Sequence, residues 1–296
     1  MSKLNRFNKL IKICLVIILA SGTFLAGVLY TKVNALKTGG LTSLNDEKSI
    51  DKESVLPTNG FELPISWGDL GPKLISAGVI DEEKFVQTVN LNGDEEKILK
   101  EGTDKPITIN EDNSQFVVDL LWAIGLAQKS NAYIDGPMGR EYKKDIANFS
   151  STAGWTLSKS KATDYLGKFE LFNLTPEQQK RVEEIAKNIF RPCCGNSTWF
   201  PDCNHGMAAL AAIEMMVAKN LPDDEIYKNV LKLNSFWFPG TYLTTAQYFA
   251  DQGTPWNKVD AKTVLGAEFS SAQGAAQVAK KVAPQEGSGK GSGCGA

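Results

Sequence analysis

Residues 207–218 read Met-Ala-Ala-Leu-Ala-Ala-Ile-Glu-Met-Met-Val-Ala. These are strong helix formers with no glycine or proline among them. The run is apolar nearly all round, so no face of the helix suits water, and the fold must surround it with other elements. Its spacing puts Ala209, Ala212 and Met216 beneath residue 205, with Glu214 on the opposite side. Met215 and Met216 lie two to three turns in and read as core.

The stretch that delivers the chain to this helix is the most reactive in the sequence. Residues 191–206 hold Cys193, Cys194 and Cys203, three of the five cysteines, and His205, the only histidine. Asp202 and Asn204 both suit an N-cap. Cys203 and His205 therefore fall at a helix N-terminus, where partial positive charge favours a thiolate and disfavours an imidazolium. Those are the forms that bind metals.

Cys193, Cys194, Cys203 and His205 make four donors, the number a closed tetrahedral site needs. The order Cys-Cys-x8-Cys-x-His is not a standard zinc-finger spacing, and adjacent cysteines diverge, so Asp202 or Cys294 would fill a vacancy. Soft donors of this kind point to Zn(II) or Cu(I). A second reading is a thiol–disulfide oxidoreductase, in which Cys193 or Cys194 pairs with Cys203 and Cys294 acts as a further thiol. A third is a structural or interaction domain whose cysteine loop is a clip. Hydrolysis is disfavoured, because a single histidine two residues from a cysteine makes an awkward dyad. Gly-x-Ser-x-Gly, phosphate-loop and dinucleotide motifs are absent. The aromatic residues of 236–242 read as core, and Trp199-Phe200-Pro201 as a shield over the cysteine loop.

The chain around this centre divides by composition. Residues 13–30 contain no charge and follow Lys3, Arg6, Lys9 and Lys12. The run is near the lower limit for a membrane-spanning helix, and the basic flank places the N-terminus inside. Residues 1–35 are expected to be a membrane anchor. The alternative is a signal segment cleaved near 33–35, giving a secreted protein. Either way the body is expected to be extracytoplasmic, with the membrane as partner. Cys14, inside the apolar run, reads as inert. Residues 1–37 carry six Lys or Arg and no acid, which leaves 26 basic against 34 acidic residues. So acidic a body argues against nucleic-acid binding.

Residues 36–60 read as a flexible tether. A single, mostly α domain is expected over 61–283, helical from Phe61 onward. Helices are predicted over 67–77 up to Gly78, over 82–89 behind Asp81, over 93–101, and as an amphipathic helix over 114–129. Loops with short helical pieces fill 130–172. A helix over 176–190 starts from the capping box of Thr175 and Gln178. Further helices follow over 223–233, 241–251 and 267–281. Pro106–Ile109 is the best strand signal. Residues 284–296 form a Gly/Ser tail ending near Cys294. An extended tail of this length reaches about 40 Å, enough for Cys294 to touch the cluster.

Overall fold

The computed structural model describes residues 50–282. The expected anchor over 13–30, Cys14 and Cys294 lie outside these residues. Among the described residues, no helix is long and apolar enough to cross a membrane.

The body is mostly helical. In chain order come α1 (Lys52–Val55), β1 (Phe61–Gly68), α2 (Leu70–Ala77), α3 (Glu82–Val89), α4 (Gly93–Glu101), β2 (Thr103–Ile109) and α5 (Ser114–Ala127). Loops with short turns follow, including α6 (Pro137–Arg140) and α7 (Ser150–Ala153). Then come α8 (Pro176–Ala186), α9 (Asn204–Ala218), α10 (Asp223–Trp237), α11 (Pro239–Asp251), α12 (Ala261–Leu265), α13 (Ala267–Ser270) and α14 (Ala272–Ala279).

α9 is the helix the sequence places at the centre. Every residue from Asn204 to Val217 is buried. Met207, Leu210, Ile213 and Met216 are fully enclosed, each worth roughly 1.5–3 kcal/mol of apolar burial. Its main neighbour is α5, and the two backbones meet closely at Gly125. A Cβ there would lie 2.3 Å from the Met207 carbonyl oxygen, so only glycine permits this approach. α5 is not amphipathic as expected. Phe116 to Ala127 is buried on all sides, Asp119 included. It shares with α9 the centre of one large core.

Local signals place many helix starts. The Asp81 carboxylate accepts the Lys84 N–H at 3.3 Å. Thr175 and Gln178 exchange their capping bonds at 3.2 and 3.0 Å.

Where the structure departs from the sequence reading, a tertiary partner is the cause. Phe61–Gly68 is a strand, not the start of a helix. Leu63, Ile65 and Trp67 are buried while Glu62 and Pro64 face out, a period of two that suits a strand against a core. It pairs antiparallel with β2, Phe61 opposite Ile109 and Gly68 opposite Thr103. Pro106–Ile109 is the second half of β2.

The stretch read as tether is ordered over its last part. Asp51 caps α1 by accepting the Glu53 N–H at 3.1 Å. Val55 is fully buried in a small second core with Tyr242, Ala246 and Val264.

α8 stops at Ala186 instead of running to 190. The Ala186 carbonyl takes the Trp199 N–H at 3.2 Å, and the Ile189 carbonyl takes that of Thr198 at 2.8 Å. The helix expected over 267–281 is broken at Ser271. Its hydroxyl accepts the Gly274 N–H at 3.0 Å and starts α14 afresh.

Candidate metal centre

The cysteine loop, residues 191–203, runs from the end of α8 to the start of α9 and is fastened to several elements. The Phe190 N–H donates to the Leu265 carbonyl at 2.8 Å, and the Ala272 N–H to that of Cys194 at 2.9 Å. The Ser151 N–H donates to the Asp202 carbonyl at 3.1 Å. Trp199 is buried in the main core. Phe200 stacks on Tyr142 at 5.2 Å and meets Phe149 edge-on at 5.3 Å. The aromatic stretch thus anchors the loop as well as covering it.

Pinning the loop at both ends gathers the thiols. The Sγ atoms of Cys193, Cys194 and Cys203 all lie within 4.8 Å of one another. Cys193 and Cys203 are 3.5 Å apart. Zn–S bonds of about 2.3 Å put the sulfurs of a tetrahedral site roughly 3.8 Å apart, so one soft ion can bridge this group with little movement. Although Cys193 and Cys194 are adjacent in the chain, they converge. Cys203 is buried, and the other two are half-buried.

His205, the fourth donor expected from the sequence, is not in this group. Its Nδ1 lies 2.9 Å from Asn204 Oδ1, and its backbone N–H donates to the same oxygen at 2.8 Å. The ring packs on Phe238 at 4.5 Å and Trp237 at 5.7 Å. Burial above all pulls its pKa down to about 4, with Cys203 working against the shift and Arg191 adding to it. The imidazole is neutral, as expected from its place at the helix start, but burial is the larger cause. The N-cap is Cys203 itself, in place of Asp202 or Asn204. Its sulfur accepts the Gly206 N–H at 3.4 Å.

The organising residue is one the sequence reading missed. Arg191 is fully buried. Its guanidinium donates to Cys203 Sγ at 3.2 Å, to the carbonyls of Asn196 at 3.0 Å and Phe200 at 3.2 Å, and to Asp202 Oδ1 at 2.7 Å. Asp202 Oδ2 accepts from the Asn196 amide at 2.7 Å. One planar fork therefore shapes the loop and touches the sulfur it carries. Gly206 makes room for it, since a Cβ there would fall 2.4 Å from the guanidinium carbon. The only hint in the sequence was a charged residue wedged between Ile189-Phe190 and Pro192.

Electrostatics sort the three thiols. Contacts from Cys193 and Cys194 favour the Cys203 thiolate. Burial opposes it, Arg191 supports it, and the pKa ends well below the ordinary thiol value. For Cys194 the contact with Cys193 favours ionisation, but the contact with Cys203 and burial outweigh it, and the thiol is pushed up to about 11. Cys193 is held protonated by its contacts with Cys194 and Cys203 and by burial. Burial works against the charge of Arg191, but the cysteine sulfurs more than offset it. The metal-free cluster is thus one buried thiolate beside a guanidinium, with two thiols poised to ionise when a cation arrives.

No protein-family model, curated protein or solved structure matches this chain.

Proposed function

We propose that this chain is a membrane-anchored, extracytoplasmic protein that binds a soft metal ion, zinc or copper, through Cys193, Cys194 and Cys203. The observation that carries the reading is the convergence of three sulfurs within 4.8 Å of one another. Soft thiolates select zinc, Cu(I) and similar ions over magnesium or calcium. The buried thiolate of Cys203 is the first ligand, because no proton has to leave it. Asp202 does not serve as a ligand, since both its oxygens are engaged by Arg191 and Asn196. The anchor and the outward placement of the body rest on the uncharged run 13–30 behind its basic flank. Elemental analysis of the purified chain, with thiol titration of the same sample, tests the reading. One equivalent of metal, lost in Cys203→Ser, is the expected result. Protease added to intact cells should digest the body, and full protection would refute the topology.

A second reading is favoured by one distance, the 3.5 Å between the Cys193 and Cys203 sulfurs. A thiol–disulfide exchanger would join these two and leave Cys194 free. A metal-free protein with a Cys193–Cys203 disulfide in a non-reduced digest would favour it.

A further inference from the structure

The cluster offers three sulfurs that lie within 4.8 Å of one another. The carboxylate beside it, with Asp202 Oδ1 3.8 Å from Cys194 Sγ, is already engaged by Arg191 at 2.7 Å and by Asn196 at 2.7 Å. A tetrahedral ion placed here must find its fourth ligand in solvent. Cys193 and Cys194 are half-buried, so the sulfurs are reachable from outside while Cys203 closes the inner side.

The fixed charges around the sulfurs already cancel. The Arg191 guanidinium pairs with the Asp202 carboxylate at 2.7 Å, with side chains 1% and 19% exposed. Arg191 and Asp202 sum to zero, so the net charge of the whole site is set by the ion and the three sulfurs. Three thiolates with Cu(I) leave a net charge of minus two, and with Zn(II) minus one. Only a trivalent centre leaves none, and residual charge in a largely desolvated site is costly.

We infer that the three-sulfur site takes a trivalent thiophilic metalloid, of which arsenic(III), reaching the site as arsenous acid, is the simplest example. This inference rests on the reading of the cluster as a soft-ion site and names the class of ion. Arsenic(III) bound by three sulfurs is pyramidal, and its lone pair removes the need for a fourth ligand. The reaction is a condensation without redox change. Three As–O bonds break and three As–S bonds form, and each hydroxyl leaves as water. Each departing hydroxyl takes one proton, from a cysteine thiol or, for a sulfur already ionised, from solvent.

The test uses the full chain in mild detergent, with Cys14 and Cys294 replaced by serine so that only the cluster thiols are counted. Sodium arsenite and zinc are added to the reduced protein. The expected result is one arsenic per chain, loss of all three titratable thiols, and displacement of bound zinc by equimolar arsenite. Each of Cys193→Ser, Cys194→Ser and Cys203→Ser should weaken arsenite binding at least tenfold. X-ray absorption at the arsenic edge needs no variant and should give three sulfur neighbours and no oxygen. An arsenic held by two sulfurs and a hydroxyl overturns the inference. So does zinc that stays bound through three sulfurs while arsenite does not enter; in that case the soft-metal reading stands alone. Failure of both ions to bind, with all three thiols still titratable, overturns both.

Discussion

Replacing Arg191 with methionine keeps most of the side-chain volume and removes the buried cation. Two effects follow, and they differ in pH dependence. The first is structural. The guanidinium's hydrogen bonds to Cys203, Asn196, Phe200 and Asp202 disappear, leaving Asp202 with Asn196 alone. Breaking a buried ion pair costs about 3–5 kcal/mol. Asp202 is partly exposed, so about 3 kcal/mol of stability is the expected loss. The second effect is electrostatic. Without Arg191, Cys203 loses one contribution to its lowered pKa while the larger contacts with Cys193 and Cys194 remain, so the value rises only part of the way toward that of an ordinary thiol. Metal affinity at neutral pH then falls, by about tenfold for each pH unit by which that pKa comes to exceed the working pH. The assay is competition with a chromophoric chelator at several pH values, with proton release followed in weak buffer. At neutral pH the variant should release more protons per metal bound than the wild type. The affinity gap should narrow as pH rises and Cys203 becomes ionised in both proteins. An equal loss of affinity at neutral and high pH would show that Arg191 acts only by shaping the loop. Unchanged affinity in a folded variant would refute the role assigned to it.

Gly206→Ala places a methyl where the guanidinium now lies, 2.4 Å from its carbon. It should destabilise the domain by about 3 kcal/mol in urea unfolding and weaken metal binding with it; a neutral result would mean that the fork tolerates displacement. Cys203→Ser should abolish stoichiometric metal binding, while His205→Gln should leave affinity within a few-fold, both read by chelator competition; comparable losses would return His205 to the ligand set. Glu214 is fully buried with neither carboxyl oxygen hydrogen-bonded. Burial pushes its pKa up to about 8, eased slightly by the nearby Ser130 hydroxyl. The raised pKa means that the contribution of Glu214 to stability is fully present below about pH 4.5 and is lost as pH rises through 8. Glu214→Gln should flatten this part of the stability–pH curve and gain on the order of 4 kcal/mol at pH 8. An unchanged slope in denaturant titrations across that range would contradict the assignment.

Much of the helical frame is legible without coordinates, because its signals are local. The all-round burial demand of residues 207–218, the capping box at Thr175–Gln178 and the cap at Asp81 are each written in a short local stretch. The chain alone therefore determines a buried central helix with a cysteine-rich approach to its N-terminus. It also puts three thiols on that approach, but whether the adjacent pair converges was decided by the pinned loop.

What the tertiary structure decided is non-local. Phe61–Gly68 becomes a strand because β2, about forty residues later, offers it a partner. Val55 is buried because Tyr242 and Val264 meet it from the far end of the chain. Whether His205 joins the cysteines depends on where its ring finds space, and it packs on Phe238 and Trp237. Arg191 is the clearest case. In the sequence it is one of 32 basic residues, with nothing to set it apart in kind. Its role exists only because the fold removes water from around it and brings Cys203, Asp202 and two carbonyls within reach of one planar cation. A charge means little until its surroundings are known, and those surroundings are assembled from residues the local sequence does not contain.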